Sequence, residues 1–112
     1  MTDDLERLRR DHRPSLLAWL SRQDEAGRRS AYELGRAAMR DSVGILDLVR
    51  LHNDAVLEVL RSARSAEEAW KVSEAAGEYL LELVSPFEMA RRGFMDLGLG
   101  SGSRPTPTVP GS

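Results

Sequence analysis

Cysteine is absent from the 112-residue chain, which excludes a disulfide framework, a thiolate nucleophile and any cysteine-based metal site and fits a reducing compartment. Aromatic residues are few, two each of Trp, Tyr and Phe, so a stacking platform for single-stranded nucleic acid has little to be built from. Long apolar runs are missing too. Nothing approaches the roughly 18 residues needed to cross a bilayer, and the N-terminal MTDDLERLRRDHRP lacks the apolar centre of a signal peptide. These absences predict a soluble, cytoplasmic protein without a membrane partner. Neither sign of charge dominates: the net charge is −2, and arginine supplies all of the 16 basic residues except Lys71. The clusters Arg7/Arg9/Arg10/Arg13, Arg28/Arg29 and Arg91/Arg92 each have Asp or Glu close by. A nucleic-acid binder shows an unbalanced basic face; this pattern reads as solvated helix faces with charge pairs, and no nucleic-acid partner is expected.

Strand formers and helix breakers are equally scarce over most of the chain. Apart from Pro14 and Pro86 every proline follows Arg104, and Ala, Leu, Arg and Glu dominate before it. Those are strong helix formers. The expected fold is therefore all-α, an antiparallel bundle of three to four helices with a long first helix and a proline-kinked last helix, in one domain rather than two. Residues 1–13 are expected to be a helical or flexible segment, with a turn or short helix from about Asp3 to Asp11, and residues 14–97 to be the helical domain. Residues 98–112, GLGSGSRPTPTVPGS, are almost all Gly, Ser, Pro or Thr; they bury too little to offset the entropy of ordering, which predicts a disordered tail or a linker to a further domain.

The long first helix is predicted from about Pro14, tolerable in a first turn, to Asp41. Its apolar stripe is Leu16, Leu17, Leu20, Ala31, Leu34, Gly35, Ala38 and Met39, spaced by helical turns. The stripe fades across SRQDEAGRR (Ser21 to Arg29), where an exposed helical span and a break both fit, and Gly27 weakens the helix. Ser42-Val43-Gly44 supplies a turn. A second helix, Ile45 to Ala63, is expected to bury Ile45, Leu48, Val49, His52, Val56, Val59, Leu60 and Ala63, leaving Leu46, Leu51 and Leu57 off that stripe. A third starts at the capping box Ser65-Ala66-Glu67-Glu68 and stops at Gly98. Its buried face is expected to hold Ala66, Ala69, Trp70, Ser73, Ala76, Leu80, Leu83, Val84, Phe87, Phe94 and Leu97, with Ala75-Ala76-Gly77 as the patch where another helix approaches closely.

In YLLELVSPFEMARRGF (Tyr79 to Phe94) the apolar period continues on both sides of Pro86. Proline offers no N–H to the carbonyl of Glu82 and clashes with it, at about 3 kcal/mol in a straight helix. One kinked helix, or two collinear halves, is expected, with Ser85 able to satisfy a freed backbone group. Pro86, Phe87, Phe94 and His52 are the expected structural residues.

Catalytic and ligand signatures are missing. His12 and His52 are the only histidines, and neither belongs to an HExxH pair or to the Glu-x-x-His of a di-iron bundle. There is no nucleophile elbow and no glycine-rich phosphate loop. No catalytic residue, cofactor or metal is expected, and His52 reads as a core-edge histidine that donates to a backbone carbonyl or a carboxylate. A long first helix leaves surface that two shorter helices do not cover, and Leu46, Leu51 and Leu57 mark a second apolar face. Two-fold association would cover both, so a homodimer is expected.

Three segments together, AYELGRAAM (Ala31 to Met39), LDLVRLHNDAV (Leu46 to Val56) and YLLELVSPFEMARRGF, resemble the N-terminal domain of the bacterial phosphoserine phosphatase RsbU, above all the versions at the N-termini of actinobacterial phosphatases and sensor proteins. The resemblance runs from about Glu25 to Phe94. It implies a non-catalytic, all-α dimerisation and docking domain that receives a switch-protein kinase of the RsbT type. That contact activates a metal-dependent phosphatase domain downstream, which dephosphorylates an anti-anti-sigma factor and frees a stress-response sigma factor. The 112 residues hold no such phosphatase domain, so its activity does not carry over. The partner surface is expected at Glu25 and Arg29 on the first helix and Glu88 and Arg92 on the third. Two other readings stand beside it: a small-molecule or haem-type sensor with His52 at the wall of an interhelical pocket, and a plain oligomerisation module for a downstream domain.

Overall fold

The structure, a computed structural model, describes residues 2–96, with side chains from residue 3 to residue 93. Leu97, the expected tail 98–112 and the Phe94 side chain lie outside the described residues. Four helices carry the fold: α1 Thr2–Arg22, α2 Glu25–Arg40, α3 Ile45–Arg61 and α4 Ala66–Asp96. The all-α expectation holds, and among the described residues there is no strand.

The helix predicted from Pro14 to Asp41 is divided in two. α1 begins far upstream of Pro14, which sits exposed inside it. After Arg22, Gln23 adopts a φ of 53°, the left-handed conformation that ends helices, while its N–H still bonds the Trp19 carbonyl at 2.8 Å. Asp24 is then extended and caps α2, its carboxylate accepting the Gly27 N–H at 3.0 Å. Of the two possibilities for Ser21 to Arg29, the break is the one realised. The expected turn at Ser42-Val43-Gly44 also forms: Val43 N–H bonds the Ala38 carbonyl at 2.9 Å and Ser42 N–H the Met39 carbonyl at 3.1 Å, the nested pair of a Schellman stop. At the start of α4, Glu68 N–H donates to Ser65 Oγ at 3.0 Å as the capping box requires. The Glu68 carboxylate reaches one residue further back, accepting from Arg64 N–H at 3.0 Å.

Cross-helix partners set the directions. Trp19 against Gly27, Ser15 with Ser30 and Arg7 with Asp41 make α1 and α2 antiparallel. Trp19 with Ala75 and Ser15 with Tyr79 do the same for α1 and α4. Arg9 with Asp54 and Arg13 with Glu58 make α1 and α3 parallel. The chain is thus an up-down-up-down bundle, and its closest pair is α2 with α4. A Cβ at Gly35 would lie 2.0 Å from the Leu83 carbonyl oxygen and 3.1 Å from Pro86 Cγ, so only glycine allows this approach. The small residue that matters is on α2. At Gly77, in the patch expected to serve this purpose, a Cβ would meet nothing within 4 Å.

The core joins Leu8, Leu16 and Trp19 of α1 to Ala31 and Ala38 of α2, Leu48 and Leu51 of α3, and Tyr79 and Leu83 of α4. Several stripe assignments are corrected. Leu51, placed off the stripe, is 2% exposed, whereas Ile45 at 42% and Trp70 at 69% face outward; Leu17 and Met39 are exposed as well. The reason is the extra length of α1. It lies along α3 and α4 and turns their inward faces toward itself, so that α3 buries Leu48, Leu51, His52 and Ala55. α4 passes through Pro86 as one helix, with Pro86 buried. Ser85 Oγ donates to the Glu82 carbonyl at 2.9 Å, the acceptor that proline deprives of its amide. Phe87 is half-buried and packs on the core rather than within it.

Candidate functional site

The first turns of α2 place Glu25, Arg28, Arg29, Tyr32 and Glu33 at intervals of three, four, seven and eight, a single helix face. With Glu82 of α4 they line an open depression of about 350 Å³. Glu25 and Arg29 are exposed at its rim, and among the described residues neither is held by an ion pair. Arg28 is committed instead. Its guanidinium reaches Glu78 at 3.6 Å and Glu82 at 3.7 Å and lies 5.0 Å over the Trp19 ring, a cation–π distance. The depression therefore has a fixed floor, tied to the core through Trp19, and an unpaired charge of each sign at its edge.

The other two expected partner residues lie apart from it. Tyr32 OH approaches Met89 Sδ at 3.7 Å, and Glu88 and Arg92 belong to the stretch of α4 around that contact, outside the lining. Glu88 is already paired, with Arg91 at 2.9 Å and Arg92 at 3.2 Å. Hydrogen bonds from Arg91 and then Arg92 hold its carboxyl below the usual range, and the same contact raises the Arg91 guanidinium. Charges neutralised by their own helix neighbours offer less to a partner than unpaired ones. Arg28, Tyr32 and Glu33 escaped sequence reading although the helical period from Glu25 marks them; Glu82 joins only because α2 packs on α4.

A second cluster is buried among all four helices. His12 and His52 are 1% and 4% exposed, with His12 Nε2 and His52 Nδ1 3.0 Å apart. The Tyr79 ring stacks on His52 at 5.6 Å and meets His12 edge-on at 5.4 Å. Its hydroxyl donates to Ser15 Oγ at 2.8 Å, which shares a hydrogen bond of 2.7 Å with Ser30 Oγ. Burial, reinforced by the neighbouring His52, pushes the His12 imidazole down to about 4. Burial also lowers His52, against the opposing pull of a hydrogen bond to the Ala76 backbone, and it raises the Tyr79 phenol to about 12.

Both rings are therefore neutral at pH 7, each with one N–H to give. Across the 3.0 Å contact one ring gives its N–H and the other accepts it, with Nε2 of His12 facing Nδ1 of His52. His52, expected at the core edge, lies in the core interior. His12 was not anticipated, although Leu8, His12, Leu16 and Trp19 share one helix face.

The family model described as phosphoserine phosphatase RsbU, N-terminal domain, matches residues 11–90 of the 112-residue chain. No curated protein and no solved structure matches. Among the described residues no helix is long and apolar enough to cross a membrane.

Proposed function

We propose, from the premise that the chain belongs to the family of phosphoserine phosphatase RsbU N-terminal domains, that it is a non-catalytic docking module. The family makes it a regulatory domain of partner-switching phosphatases. In the finer reading it receives a switch-protein kinase of the RsbT type, or a similar cytoplasmic signalling protein, and passes that contact to a phosphatase. The observation that supports this best is the depression between α2 and α4, where among the described residues Glu25 and Arg29 stay unpaired beside Arg28, which is itself held by Glu78 and Glu82. Rim charges of this kind steer encounter and select partners. The chemistry would belong to the partner and the phosphatase; to this chain the reading assigns binding, without a cofactor or metal.

The test is calorimetric titration with a purified RsbT-type kinase. Glu25→Lys combined with Arg29→Glu is expected to weaken binding at least about tenfold, roughly 1.4 kcal/mol, with the helical circular dichroism and its melting unchanged. Glu88→Lys is expected to matter less, since Arg91 and Arg92 already neutralise that carboxylate. An unaltered Kd for the Glu25/Arg29 variant would remove this surface from the reading.

Two-fold association is part of the same proposal. Leu46 and Leu57 on α3 and Trp70 and Leu81 on α4 are 49–69% exposed, and a second copy would cover such apolar surface without leaving an open edge. Light scattering at micromolar concentration is expected to give twice the chain mass; a value near 12.5 kDa would rule the dimer out.

A further inference from the structure

We propose that the buried His12–His52 pair is an acid-operated latch, whose protonation releases α1 from α3 and Tyr79 and opens the bundle while α2 and α4 stay packed. The geometry carries the idea. Two imidazoles 3.0 Å apart in the core satisfy one another only while at least one is neutral, one giving and one accepting. A first added proton leaves a cation on a ring that is only 1–4% exposed, where water cannot solvate it. A second sets two N–H donors against each other with no acceptor between them.

Among the described residues, each carboxylate on the cleft beside His12 already has a cation of its own. From α1, Arg9 and Arg13 line the small cleft that leads to His12, adding positive charge. From α3, Asp54 and Glu58 line it too, but Asp54 lies 3.9 Å from Arg9 and Glu58 bonds Arg13. Arg13 holds the Glu58 carboxyl below its usual range, so this carboxylate keeps its own cation at the pH where histidines titrate. From α4 comes Tyr79, a neutral phenol, and α2 contributes only Ser30, at second hand through Ser15.

The mechanics single out α1. Besides the histidines, the polar links between α1 and α3 are exposed ion pairs, with Arg9 and Asp54 46% and 68% exposed and Arg13 and Glu58 each 51% exposed, and such pairs hold little. The α2–α4 contact is closest at Gly35, carries the Arg28 ion pairs to Glu78 and Glu82, and contains no histidine. The cleft of about 120 Å³ between Arg9, His12, Leu51 and Ala55 gives a proton a short way in. The sign follows from linkage. An open chain protonates His12 at the ordinary value near 6.5, whereas the closed bundle resists down to about 4. Closure is therefore fully favoured above 6.5 and loses ground as pH falls toward 4.

This inference does not rest on the docking reading, and its test needs no partner. Amide hydrogen exchange on the full chain, corrected for intrinsic rates, is expected to show protection of α1 falling about thirtyfold between pH 7.5 and pH 5 through His12 alone. The α2 and α4 amides around Gly35 should keep theirs. Uniform loss along the chain, or no loss, would overturn the latch. His12→Gln and His52→Gln, which retain hydrogen-bonding groups but cannot charge, should flatten the pH dependence of α1 even if they lower its protection at both values. A slope unchanged in both variants would refute it. Ring NMR of the unmodified protein covers the case in which neither variant folds: imidazolium signals should appear only as α1 opens, and a ring titrating near pH 6.5 with α1 still protected would sink the idea.

Discussion

Adding one methyl group at Gly35 is expected to lower the unfolding free energy by about 3 kcal/mol or more, at the upper end of overpacking effects, measured by urea denaturation. The added Cβ would sit 2.0 Å from the Leu83 carbonyl oxygen and 3.0 Å from its carbon. Both are backbone atoms in the interior of α4, so no side-chain rotation relieves the clash. Pro86 is packed on the other side, 3.1 Å from the same Cβ, and Ser85 ties the helix to the Glu82 carbonyl. The strain can be released only by moving α2 away from α4, which opens the layer holding Ala31, Ala38 and Leu83. Gly77→Ala is the matched control, because a methyl there meets nothing within 4 Å. Alanine is the better helix former by about 0.5–1 kcal/mol, and this variant is expected to be neutral or stabilised. A Gly35→Ala protein within 1 kcal/mol of the parent would show that α2 and α4 are not so close.

Truncating Trp19 is the other large effect. Trp19→Ala is expected to reduce stability by roughly 3–5 kcal/mol, with a correspondingly lower urea midpoint. The ring is 1% exposed, its Nε1–H donates to the Ala75 carbonyl at 2.8 Å, and Gly27 and Arg28 cover its faces. Truncation opens a cavity where α1, α2 and α4 meet and frees Arg28 from one of its supports. Trp19→Phe keeps most of the volume and loses one hydrogen bond, so a smaller loss of about 1–2 kcal/mol is expected. An alanine variant as stable as the phenylalanine one would mean that the ring is not enclosed. Because Arg28 forms the floor of the α2–α4 depression, the alanine variant should also loosen that surface, which makes Trp19 a link between core and candidate docking site.

Much of the local structure was legible. Ser65 and Glu68 announced the start of α4, Ser42-Val43-Gly44 the end of α2, and Ser85 the remedy for Pro86, because each depends on atoms within one helical turn. That Glu25 and Arg29, four residues apart, share one face of a helix was legible for the same reason. The stop after Arg22 was not, since glutamine does not advertise a left-handed conformation and the cap at Asp24 lay within a stretch whose apolar stripe had faded. The continuity of α1 through Pro14 was missed because proline reads as a helix start. Here it sits exposed, where the freed Arg10 carbonyl lies on an exposed residue of the same helix.

Composition and short-range pattern by themselves determined that this chain is helical and where most of its helices end. Those are consequences of backbone propensity, capping and residue spacing, all of which act over a few residues. Only the tertiary structure decided which face of each helix turned inward, that Gly35 and not Gly77 is the point of close approach, and that His12 meets His52 across 40 positions of sequence. Burial and pairing depend on which helices lie against one another, and that is settled by the packing of α1 along the whole bundle, a property no single stretch of the chain carries.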